Sequence, residues 1–147
     1  MLVILFAFAA LVLAMLMMFA SFSMGGGEEE VPAIFKITSI THGTNYESIL
    51  VMRHTGPVTY NNSNLNAKFY KNAQLFCKIP TFYNYVPTHH YGVQTMSGGG
   101  CSGHTWLPGE GVNINFKDGT LRPDDMVMAE IYDTTTGLII SRHSFRA

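Results

Sequence analysis

Residues 126–145 read MVMAEIYDTTTGLIISRHSF. Two runs rich in apolar and β-branched side chains, 126–132 and 138–145, flank Asp133, three threonines and Gly137. Runs of this composition separated by a short polar loop ending in glycine are the signature of a β-hairpin. Working outward, the same pattern recurs. Residues 112–116 (VNINF) alternate and end at Asp118-Gly119, and residues 64–70 (NLNAKFY) alternate before 74–79 (QLFCKI). Residues 33–41 (AIFKITSIT) interleave Ile34, Ile37 and Ile40 with polar residues, and 47–54 (ESILVMRH) stop at Thr55-Gly56-Pro57. Short strands with regular turn signals predict a sandwich or barrel. No stretch after Met24 carries a helical period over ten residues.

Residues 1–24 are different. They hold no charged side chain, and the first charge is Glu28. As a helix they would extend roughly 36 Å, more than the roughly 30 Å hydrocarbon core of a bilayer. A secretory signal cut after Ser23 is one reading, but it normally has a basic start and a shorter apolar core. No Lys or Arg precedes Lys36. A one-pass anchor is another, although positive charge to orient it is missing. A third is a processed chain whose basic leader has been removed. An all-round apolar helix belongs in lipid or in a large core, and Ala7, Ala10, Ala14 and Ala20 would allow close helix approach.

Gly25, Gly26 and Gly27, the three glutamates behind them and Pro32 then read as a hinge, 25–32. The expected class is α+β overall: a long N-terminal hydrophobic helix (1–24) followed by an all-β immunoglobulin-like sandwich (33–147) with an inserted loop at 80–106. That loop is long for a connection, and such loops are usually functional or disordered. Its aromatics, Phe82, Tyr83, Tyr85 and Tyr91, argue for order.

The chemistry-bearing residues fit few reactions. Net charge is −1, with no basic run, so nucleic-acid binding lacks its electrostatic footprint. Cys77 and Cys101 would form a disulfide closing about 25 residues if the domain lies outside the cell. Asn61-Asn62-Ser63 is an N-glycosylation sequon in a polar loop, with Asn61 as acceptor. Cys101, His104 and the pair His89-His90 could be compared with a blue-copper set. CSGHTW resembles cupredoxins only in part, because the next methionine is Met126. Calcium at Asp118, Asp124 and Asp125 and hydrolysis by the run Ser141-Arg142-His143-Ser144 are weaker still, since adjacent strand residues such as His143 and Ser144 point to opposite faces. The expectation is a non-enzyme with no cofactor and no metal.

The layout of helix, hinge and β domain resembles the archaeal type IV pilins. The resemblance is carried by residues 37–57, ending MRHTGP, and by PGEGVNINF…LRPDDMVMAEIYDTTTGLIISRHSF in 107–146. It implies a class III leader cut by a prepilin peptidase. It also implies identical subunits as partners in a helical polymer, the pilus assembly machinery, and the membrane before assembly. The finished protein would be an extracellular adhesive filament. Leu2, Val3, Leu5, Phe6, Leu11, Leu13, Leu16 and Phe19 would form the polymerisation core. Leu5 stands where bacterial pilins usually carry Glu. Other readings are a membrane-anchored extracellular binding or cupredoxin-like domain, and an archaellin.

Overall fold

The computed structural model describes residues 30–44, 47–83, 92–117 and 119–147. Ten strands account for most of them: β1 (Phe35–His42), β2 (Ser48–His54), β3 (Tyr60–Asn61), β4 (Leu65–Lys71), β5 (Gln74–Ile79), β6 (Val93–Ser97), β7 (Thr105–Trp106), β8 (Gly111–Phe116), β9 (Met126–Asp133) and β10 (Ile139–Arg146). One 3-10 turn, Asn62–Asn64, separates β3 from β4.

The expected α+β class is therefore corrected. The described residues are all β, with no α-helix among them, and none of their elements could cross a membrane as a long apolar helix. The stretch 1–24, its polymerisation residues Leu2, Val3, Leu5, Phe6, Leu11, Leu13, Leu16 and Phe19, and the hinge glycines Gly25, Gly26 and Gly27 lie outside the described residues.

The strands form two antiparallel four-stranded sheets and a ribbon. The first sheet runs β1-β2-β8-β6, the second β10-β9-β4-β5, and β3 pairs with β7. Each sheet owes its inner face to period-two patterning. Leu50 and Met52 of β2 and Val112, Ile114 and Phe116 of β8 face Leu65, Ala67 and Phe69 of β4 and Val127, Ala129 and Ile131 of β9. The Phe69 and Phe116 rings meet edge to face across the layer, 5.9 Å between centroids.

A second packing centre gathers Phe35, His54, Tyr60, Phe82 and Trp106. Trp106 is fully buried, and its indole N–H donates to the Glu110 carbonyl at 2.9 Å. Gly100 is required beside it, because a Cβ there would lie 2.5 Å from the Trp106 ring.

The strands missed in the sequence are β3, β6 and β7. Two are only two residues long. In β6 a register shift between Val93 and Thr95 breaks the alternation, so VQTMS has no clean period. Hence residues 93–97 and 105–106 of the expected irregular loop are strand, while 84–91, with His89 and His90, lie outside the described residues.

Candidate interaction surface

On the second sheet every other residue of β9 turns outward. Glu130 stands directly opposite Arg142 of β10 and Lys68 of β4, and Lys68 opposite Lys78 of β5. Tyr70 lies between Met128 and Leu75, and Met126 is opposite Arg146. Directly opposed residues share a face and are near enough to interact. This outer face thus carries Lys68, Lys78, Arg142 and Arg146 against one carboxylate, with two tyrosines among them.

Glu130 organises the face. It is only 4% exposed although it points away from the core. Its Oε2 accepts from Arg142 Nη2 at 2.7 Å and from Nε at 3.0 Å. Tyr132 donates its hydroxyl to Oε1 at 3.1 Å, and Lys68 Nζ sits 4.8 Å from the centre of the Tyr132 ring. Burial alone would push the Glu130 carboxyl up. Hydrogen bonds from Arg142, Tyr70 and Tyr132, with the Arg142 charge, outweigh it and hold the carboxyl below its usual value. Burial and the Glu130 charge raise the pKa of Tyr132, and burial with the Glu130 hydrogen bond raises that of Tyr70.

Among the described residues the same sheet ends at β5, which pairs there with β4 alone. Leu75 is exposed there, as Met126 is on β9. A cavity of about 350 Å³ opens beside the strand, lined by Leu75, Phe76, Cys77 and Lys78. Phe76 is the extra residue of a bulge on β5, where the register shifts opposite Phe69 and Tyr70; this sets Leu75 opposite Tyr70 and turns it out beside the tyrosine.

The expected disulfide is corrected. Cys77 and Cys101 are both free and both buried. Cys77 sits on β5 beside Gly92, and Cys101 follows β6 with its Sγ 3.6 Å from the Gly98 carbonyl oxygen. Burial pushes the thiols up to about 12 and about 11 respectively, which keeps both protonated and slow to oxidise. Asn61 is exposed on β3. His104 stacks on Tyr83 with centroids 4.8 Å apart. Asp125 is engaged by the Arg122 N–H and by Asn72 Nδ2, and Asp118 lies outside the described residues.

Ser141 and His143 are brought together for a structural purpose. Both face β1: Ser141 Oγ accepts from the N–H groups of Ile34 (3.0 Å) and Phe35 (2.9 Å), and His143 Nδ1 accepts from Ile37 N–H (3.1 Å). The sequence reading missed the Glu130 group as well. Alternation in 66–70 and 128–132 shows which residues face out, but not which strands lie side by side.

No family model matches this chain, and no curated protein matches it. Solved structures resemble it, among them two from one organism. One is the archaellum periplasmic stator protein FlaG from Sulfolobus acidocaldarius, at 15% identity and a TM-score of 0.44, covering 77% of this chain and 97% of that one. The other is the periplasmic stator complex of FlaF and FlaG from the same organism, at 16% identity and a TM-score of 0.45, covering 81% and 92%. The neighbours are thus archaellum stator proteins.

Proposed function

We propose that this chain is a non-enzymatic structural domain of cell-surface machinery, working outside the membrane, which docks an acidic protein partner on the outer face of β10-β9-β4-β5. The observation that carries the reading is Glu130. A carboxylate almost fully buried on an outward face, fixed by Arg142 and Tyr132, makes a rigid platform rather than a loose solvated surface. Tyrosine and arginine are the residues that most often dominate binding energy, within a polar rim. Lys68, Lys78, Arg142 and Arg146 set the sign of the partner, because charge complementarity selects partners and speeds encounter. Exposed Leu75 and Met126 supply apolar contact at its margin.

The reading as a non-enzyme has a positive basis. The polar side chains best suited to chemistry already hold backbone groups: Ser141 and His143 bind β1, and His54 Nε2 donates to the Val58 carbonyl at 2.5 Å while its Nδ1 accepts from Gly56 N–H.

The test is site-specific photo-crosslinking from position 75 of the full chain in the cells that produce it. An archaellum-type machine is the first setting to try. The expected result is an adduct with a different protein at an acidic surface. The adduct should disappear in Lys78→Glu/Arg146→Glu and return when the partner's acidic residues are changed to lysine. An adduct only with copies of this chain, or one indifferent to the charge reversal, would overturn the proposal.

A further inference from the structure

The sequon at Asn61 has a geometry that its sequence alone does not reveal. Asn61 is the second residue of the short ribbon strand β3, opposite Thr105 of β7. Its Oδ1 accepts two hydrogen bonds from the same serine, from Ser63 N–H at 3.1 Å and from Ser63 Oγ at 2.8 Å. The side-chain nitrogen, Nδ2, makes no hydrogen bond among the described residues. Asn61 and Ser63 are both exposed, and so are Val58, Thr59 and Thr105 around them. The middle residue points the other way. Asn62 is fully buried, with its Nδ2 on the Gly103 carbonyl at 2.9 Å and its backbone N–H on the His104 carbonyl at 2.8 Å. Its carbonyl accepts from Phe82 N–H at 3.3 Å. A buried anchor therefore holds the first and third residues of the sequon out toward solvent, side by side.

We propose that Asn61 is a glycan acceptor, modified through Nδ2; this rests on the reading that the domain works outside the membrane. Two donors on the amide oxygen stabilise the form of the amide that has lost a proton from nitrogen. They thereby raise the nucleophilicity that an amide nitrogen ordinarily lacks. The donor is a polyprenyl-phosphate-linked sugar. Asn61 Nδ2 attacks the anomeric carbon and a C–N bond forms. The C–O bond to the lipid phosphate breaks, and the phosphate leaves with the bonding pair. The Nδ2 proton passes to a base of the transferase, and nothing is oxidised or reduced. Only Nδ2 is substituted, so both hydrogen bonds to Oδ1 survive and the Asn62 anchor is untouched. The fold accepts the product without rearrangement. Asn61 is also the acceptor of the only Asn-x-Ser/Thr sequence in the chain.

The full chain is purified from the cells that produce it, and its intact mass is measured. The expected result is a mass excess that is absent in Asn61→Asp and Ser63→Ala and retained in Ser63→Thr. Asn61→Asp keeps the Oδ1 acceptor, so the turn and the fold persist without the amide nitrogen. In parallel, intact cells are treated with a membrane-impermeant amine reagent that reports on Lys36, exposed on β1 of the other sheet and off the proposed docking face. A chain labelled from outside but carrying no mass excess overturns the acceptor site and leaves the location standing. A chain neither labelled nor modified overturns both. An excess that survives Asn61→Asp places the modification elsewhere and overturns this proposal.

Discussion

The sandwich has two kinds of edge. At one, β1 and β10, each a terminal strand of its own sheet, are stitched together by side chains. Ser141 holds Ile34 and Phe35, His143 holds Ile37, and Arg142 N–H reaches the Pro32 carbonyl at 3.0 Å. At the other, β5 carries exposed Leu75 and Lys78 and is the last strand of its sheet among the described residues. Both edges face the problem of unpaired backbone donors and acceptors. The first solves it inside the chain with two polar side chains, and the second carries an exposed lysine and a bulge, with the proposed partner as its cover.

Four substitutions probe that contrast. The largest effect belongs to Ser141→Ala, which strands the buried Phe35 N–H and the partly buried Ile34 N–H. The expected loss is about 2–3 kcal/mol, read as a fall in urea midpoint at unchanged slope. A loss near zero would mean that the seam is not held by Ser141. Next is Arg142→Met, which removes the cation from nearly buried Glu130 while preserving much of the side chain's bulk. About 2 kcal/mol is expected, discounted because Arg142 is 39% exposed. The variant should also lose less stability than the parent as acid is added, so that the two converge at low pH. Glu130 has its pKa lowered in the folded protein, so its contribution is present above the unfolded pKa and lost as pH falls through the folded one.

His143 gives a milder signal of the same sign. Burial, helped by the Lys36 charge, lowers its pKa, and its Nδ1 must stay unprotonated to accept from Ile37. Its contribution is full above the unfolded value and declines as pH falls toward the lower folded value. His143→Gln keeps an acceptor and should flatten the melting temperature between pH 7 and 5. An unchanged slope would assign the acid sensitivity elsewhere. At the open end the smallest change is a gain. Asn72 and Ala73 form the two-residue β4–β5 turn, both with positive φ (48° and 68°). Ala73→Gly removes steric cost at a left-handed position and should stabilise the protein by about 0.5 kcal/mol, seen as a small rise in melting temperature.

Much of the strand content was legible because one face of each strand is buried. Leu50 and Met52, Ala67 and Phe69, and Val112 and Ile114 alternate with polar neighbours, and that period needs no knowledge of partners. The candidate surface was not legible. Glu130 reads as an ordinary solvated residue until Lys68 and Arg142 are known to flank it on neighbouring strands. Cys77 and Cys101 invited pairing because sequence separation says nothing about direction, whereas each thiol is buried in its own local setting.

By itself, then, the sequence determined where seven of the ten described strands run and which of their faces turn inward, since alternation and turn residues are local. Only the tertiary structure decided that Ser141 and His143 close a seam, that Glu130 is buried on an outer face, and that Asn62 anchors an outward-facing Asn61. Each of these depends on side chains meeting across strands far apart in the chain, and pairing over such distances is fixed by the assembled core rather than by any local pattern.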